Sequence, residues 1–207
     1  MSRTARTAFD TPSTQHSGET DALVAGNARL TAMAGVLLLV LLALEGLTIV
    51  RIRPLLPWHV LLGFALIPPV VLKLASTGHR AVRYYAGDPR YRAAGPPRPL
   101  LRLIAPIVVA TSVGVLATGV ELWFQGNTRV WVHAHQLLFV TWFFAMTVHV
   151  LGYSIRAPRL TLQELAPSTR LPGGLARQSL VIASLVLGVA LALALATQAS
   201  PFVLSLR

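Results

Sequence analysis

Residues 58–76 read WHVLLGFALIPPVVLKLAS, and residues 135–149 read HQLLFVTWFFAMTVH. Each is an apolar run with a nitrogen-bearing side chain near either end. His59 and Lys73 are fourteen residues apart in the first, and His135 and His149 are fourteen apart in the second. Fourteen residues make nearly four helical turns, so both members of a pair share a face, roughly 21 Å apart along the axis. Lys73 is the one lysine in the chain, and the other seventeen basic residues are all arginine, placed at the ends of apolar runs or between them. An ionisable group at membrane depth is expensive, which marks it as a functional-site candidate. Two helices carrying matched nitrogen donors at two depths are what two stacked haems require.

The wider composition places these runs in a bilayer. Of 207 residues, 54% are hydrophobic and only 12% charged, and the mean hydropathy is +0.63. That balance belongs to a multi-span membrane protein rather than a soluble domain. There is no cysteine, which removes disulfides, iron–sulfur clusters, thiolate zinc sites and covalent haem attachment. The net charge of +11 sits on arginines that flank apolar runs without interleaved aromatics, so it fits a lipid bilayer and not nucleic acid.

Five stretches reach the roughly 20 residues that a span needs: 30–50, 58–76, 103–124, 130–154 and 179–197. They predict an all-α integral membrane protein, a bundle of five transmembrane helices whose first four form a haem-binding core. The polar residues 1–28 read as a disordered tail, 29–198 as the transmembrane domain and 199–207 as a short tail. Asp10, Glu19 and Asp21 in the long polar lead argue against a signal peptide. Thirteen arginines fall in the N-terminal tail and the loops after spans two and four, against four on the other side. By the positive-inside rule the N-terminus is cytoplasmic and the C-terminus external, in a bacterial cytoplasmic membrane. Spans two and four then both run inward, with His59 and His135 near the outer leaflet and Lys73 and His149 near the inner.

Neutral imidazole is a standard axial ligand for haem iron. His59 and His135 match in depth and form the outer donor pair. His133 falls about 160° round the helix from His149 and reads as interfacial. Gly63, one turn beyond His59, has the small profile that lets a flat macrocycle approach a helix. At the inner level His149 is matched by Lys73, whose amine ligates iron only as the neutral base, the form that a low-dielectric setting favours. His79, about 200° round from His59, is the alternative partner, because Pro68 and Pro69 can kink the intervening helix. Arg80 and Arg83 are placed to meet haem propionates, or serve as plain positive-inside charges. Lys73 and His149 also suit a haem-free site, either quinone-binding, with Glu121, or within a transporter. Glu45 and Glu121 near the outer ends are expected to pair with Arg51, Arg53 or Arg129. The fifth span has neither charge nor histidine and reads as a packing helix, suited to forming a homo- or hetero-oligomer.

Histidines fourteen apart on one helix, facing donors on a second helix two spans away, resemble the membrane-embedded di-haem b-type cytochromes, including the cytochrome b561-like and cytochrome b/b6-like families. The stretches WHVLLGFALIPPVVLKLASTGHRAVRYYAGDPRYRAAGPP and HQLLFVTWFFAMTVHVLG are similar to those of a group of small multi-span proteins of GC-rich bacteria. The resemblance covers roughly residues 30–155. It implies haem b, one or two per chain, with His59, His135 and His149 as axial ligands. It further implies electron transfer within the membrane, with a quinol or a redox protein as partner. Lys73 departs from the pattern, which has a fourth histidine there.

Overall fold

The computed structural model describes residues 12–96, 98–196, 198 and 202, with side chains from residue 22 onward. Its elements are helices: α1 (Pro12–Val50), α2 (Ile52–Tyr85), α3 (Pro89–Ala93), α4 (Pro99–Gln125), α5 (Arg129–Tyr153), α6 (Arg156–Leu165) and α7 (Gly174–Ala196). No strand occurs among the described residues. Five segments are long and apolar enough to cross a membrane: Ala22–Val50, Ile52–Tyr85, Pro99–Gln125, Arg129–Tyr153 and Gly174–Ala196. The bundle of five spans expected from hydropathy is present, with longer helices than the apolar runs alone suggest.

Two departures have physical causes. Residues 12–28, expected as a tail, continue α1 as helix. Asn27 and Arg29 anchor this part of α1, donating to the Ser76 carbonyl of α2 and to Glu164 of α6. Residues 1–11 and most of the expected tail 199–207 lie outside the described residues. The connections after the second and fourth spans also carry short helices. Asp88 caps α3 by accepting from the Arg90 amide at 3.1 Å, the role expected of an aspartate at a helix start. Gly87, at φ +91°, makes the turn that precedes it. The ten-residue α6 is strongly amphipathic and lies against α1.

Proline inside a helix is tolerated in a membrane span because neighbours re-satisfy the freed carbonyls. Accordingly α2 runs unbroken through Pro57, Pro68 and Pro69, and Pro69 is among the most deeply buried side chains. A single residue, Arg51, separates α1 from α2, so the two form a tight antiparallel hairpin.

The spans group into two parts. α2 packs against α1 on one side and α7 on another, while α4 and α5 pack against each other. The parts meet along α2 and α4, where Phe64 sits edge-on to Trp123 at 5.5 Å, in a core shared with Ala65 and Ala192. Backbone approach of α5 to α1 and α2 is sparse.

Small residues set the closest approaches, as is usual between membrane helices. A Cβ on Gly188 of α7 would overlap the carbonyl oxygen of Ala65 in α2. Gly188→Leu is therefore expected to force α7 away from α2 and to cost about 1–3 kcal/mol or more. A lowered temperature for loss of monodisperse protein in detergent checks this; an unchanged temperature contradicts the packing. The fifth span, α7, thus packs within its own chain, while Leu180, Ile182, Val186 and Leu193 remain on its exposed side.

Candidate functional site

The rings of His59 on α2 and His135 on α5 face each other across the seam between the two parts. Their centroids are 6.3 Å apart and their planes are near perpendicular, at 88°. Both residues are partly buried.

A threonine hydroxyl lies beside each ring. Thr118 on α4 is within hydrogen-bond distance of the Gly114 carbonyl at 2.8 Å, with Val115 close by. Its oxygen lies 3.0 Å from His135 Nδ1. A hydroxyl that donates to its own helix leaves its oxygen to accept from an Nδ1–H. On the other side Thr48 gives its proton to the Glu45 carbonyl at 2.6 Å, and its oxygen lies 2.9 Å from His59 Nδ1. Glu45 Oε1 is a second acceptor for the same nitrogen, also at 2.9 Å. In a neutral imidazole one nitrogen donates and the other keeps its lone pair. The side-chain hydrogen bonds of both rings run through Nδ1, and an Nδ1–H on each ring matches these oxygens and leaves Nε2 its lone pair. A histidine whose Nδ1–H is held by an oxygen while Nε2 is left open has the arrangement of a metal-ligating imidazole.

The inner level is less closed. Lys73 Nζ donates to the Thr31 carbonyl of α1 at 2.6 Å and sits against Gly35, where a Cβ would crowd it. Ser76 ties the same region together, donating to the Lys73 carbonyl and accepting from Thr31. The amine is thus turned towards α1, and no hydrogen bond joins it to His149. Lys73 nevertheless lies within electrostatic range of His149. His149 rests on the Tyr153 ring at 5.0 Å, and its Nδ1 is buried without a partner.

The other sequence candidates have separate partners. His79 is exposed and meets Tyr91 of α3 edge-on at 5.8 Å. Arg80 donates to the Gly95 carbonyl at 3.4 Å, and Arg83 lies 3.6 Å from Asp88, so both brace the α2–α4 connection. Gly63 faces Glu45 Oε1, 3.8 Å from where its Cβ would be. Gly119 of α4 instead lies under His135. His133 is exposed, as its helical position predicts. Glu45 does not pair with an arginine: its partner is His59, and its Oε2 is buried without one. Glu121 accepts from Gln125 at 2.7 Å and makes no arginine pair among the described residues.

Three residues escape a reading of the sequence. Thr48 and Thr118 stand beside the two Nδ1 atoms, and only their helix partners reveal this. Glu164, in a segment that reads as loop, is fully buried between Arg29 at 2.9 Å and Arg177.

Among the described residues no group of three or more His, Asp or Glu side chains is placed to hold a bare metal ion. A metal that brings its own equatorial ligands needs only two axial donors. No known protein family, characterised protein or solved structure matches the chain.

Proposed function

We propose that this protein is a b-type cytochrome of a bacterial cytoplasmic membrane, with haem held between His59 and His135. The observation that carries this reading is the pair of neighbouring imidazoles, 6.3 Å apart, each with Nδ1 against a threonine hydroxyl of an adjacent helix. Their spacing supports it. At 6.3 Å between ring centroids, His59 and His135 are spaced so that they would hold one iron between them.

Haem, when bound, supplies one-electron redox chemistry, and the chain supplies ligands, orientation and a low-dielectric shell. Thr118 and Thr48 hold the imidazoles in the ligating tautomer. Glu45 adds a second acceptor on His59 alone, which makes the two axial positions chemically unequal. Phe64 and Trp123, packed together at 5.5 Å, belong to the apolar wall that excludes water. The arginine asymmetry supports a cytoplasmic N-terminus, with the histidine pair near the outer leaflet. A quinol is the proposed electron donor and an external redox protein the acceptor.

The unpartnered, buried Nδ1 of His149 favours a second group at the inner level. Either a second haem takes His149 and Lys73, with Lys73 released from Thr31, or a quinone carbonyl is bound between them.

The test is a dithionite-reduced minus oxidised visible spectrum of detergent-purified protein, with a pyridine haemochrome assay. One haem per chain supports the outer site and leaves the inner residues to a quinone. Two haems per chain support both levels. Colourless protein from cells amply supplied with haem overturns the cytochrome reading in favour of a haem-free quinone-binding subunit or transporter.

A further inference from the structure

We propose that the corner between α1, α2 and α3 binds the phosphate of an anionic phospholipid, with an acyl chain running along Leu23 and Val24. The site lies at the arginine-rich end of the bundle and does not depend on the haem proposal. A cavity of about 180 Å³ opens there, lined by Leu23, Val24 and Asn27 from α1, His79 and Arg83 from α2, and Arg90 and Tyr91 from α3; the Asn27 amide donates to the Ser76 carbonyl.

The polar groups in this corner are mostly donors. Tyr91 is only 6% exposed, and its hydroxyl has no hydrogen-bond partner among the described residues. Its ring is packed against His79 while the hydroxyl is left open to the cavity. Neither nitrogen of His79 is hydrogen-bonded among the described residues, although its ring is held edge-on to Tyr91. The Arg90 guanidinium has no partner among them either. Arg83 is half-satisfied, 3.6 Å from Asp88. Asp88 itself is occupied in capping α3. Other arginines at this end are tied into the chain: Arg29 and Arg177 to Glu164, Arg80 to Gly95 and Arg102 to Tyr85.

Two guanidiniums, an imidazole and a phenol, with a single opposing carboxylate among the described residues, select an anion, and phosphate suits forked arginine donors. The remaining wall decides between a lipid headgroup and a free phosphate. Leu23 is 62% exposed and, with Val24, gives the α1 wall of the cavity an apolar face. An apolar strip leading from a cationic corner into the bilayer fits a ligand with a charged head and a hydrocarbon tail. Basic pockets between membrane helices commonly take anionic lipid headgroups.

The test is a native mass-spectrometric titration of the full chain with phosphatidylglycerol, phosphatidylcholine and inorganic phosphate. Phosphatidylglycerol is expected to bind at least tenfold more tightly than phosphatidylcholine. The Arg83→Gln/Arg90→Gln double variant is expected to lose most of that preference, and Tyr91→Phe to weaken binding severalfold while keeping the buried ring. Arg156→Gln/Arg159→Gln on α6 is expected to leave it unchanged. Equal loss in the α6 variant means diffuse surface charge and overturns the site. Inorganic phosphate competing as well as it would at a simple anion site, with no lipid preference, overturns the lipid assignment. Both pairs of arginines are at the protein surface and Tyr91→Phe preserves packing, so a folding defect does not mask the result.

Discussion

His135→Ala is expected to abolish the haem absorbance of the purified outer site, with haem per chain falling by one. If His59 and His135 hold haem between them, removing one imidazole takes away half of the donor set, and no other histidine among the described residues lies beside the pair. His133, the closest histidine in sequence, is exposed and turned away. Thr118, its other neighbour in the site, has already committed its proton to the α4 backbone. His59→Ala is expected to give the same loss. Thr118→Val, nearly the same shape, removes only the acceptor on Nδ1. It is expected to retain haem with weakened binding, by about tenfold on the scale typical of such supporting groups. The visible spectrum, haem stoichiometry and competition with apomyoglobin measure all three. Retention of full haem by His135→Ala excludes His135 as an axial ligand.

The second large effect is expected at Glu164. Its side chain is fully buried; one oxygen is 2.9 Å from Arg29 of α1, and the other meets Arg177 of α7 at 2.5 Å. The backbone carbonyl of the same residue accepts from Gln178 and Arg170. α6 is thereby joined to both α1 and α7 through one carboxylate. Breaking a buried ion pair by removing one partner costs about 3–5 kcal/mol, because the remaining charge is left without compensation. Here two guanidiniums share the carboxylate, so Glu164→Gln leaves both underpaired. The expected result is a large fall in thermal stability in detergent and increased proteolysis around residues 156–173, with haem content lost only as the fold is lost. Arg29→Gln, which removes one partner and leaves the other, is expected to cost less. A neutral Glu164→Gln would show that the buried triad contributes little.

Much of this architecture is legible in the sequence because hydropathy and helical spacing act over long, unambiguous runs. The five spans stand out by length and composition alone. The pairing of His59 with His135 follows from their shared depth, and the outward turn of His133 follows from the helical repeat. What stays hidden depends on which helix lies beside which. Thr48 and Thr118 look like ordinary membrane threonines until α1 is packed on α2 and α4 on α5. Lys73 has a long, flexible side chain, and its spacing from His59 does not reveal that Thr31 and Gly35 offer it a carbonyl and a hollow on α1. Glu45 sits near arginines in sequence, but the tight α1–α2 hairpin brings His59 to it first. α6 escapes notice because ten residues containing Pro158 and several charges have a helix's amphipathic pattern without a span's apolarity. Glu164 goes unremarked for the same reason.

The sparse seam between α5 and α2 also determines which phase has access to the histidines. Ala145 is the one buried residue of α5 among those described, and its outer surface carries Leu137, Val140, Phe143 and Phe144. A flat, oily molecule dissolved among acyl chains meets this slot from the side, moving parallel to the membrane plane. It need not cross the headgroups or pass through water. Access to the histidines from this side then depends on partitioning into the bilayer.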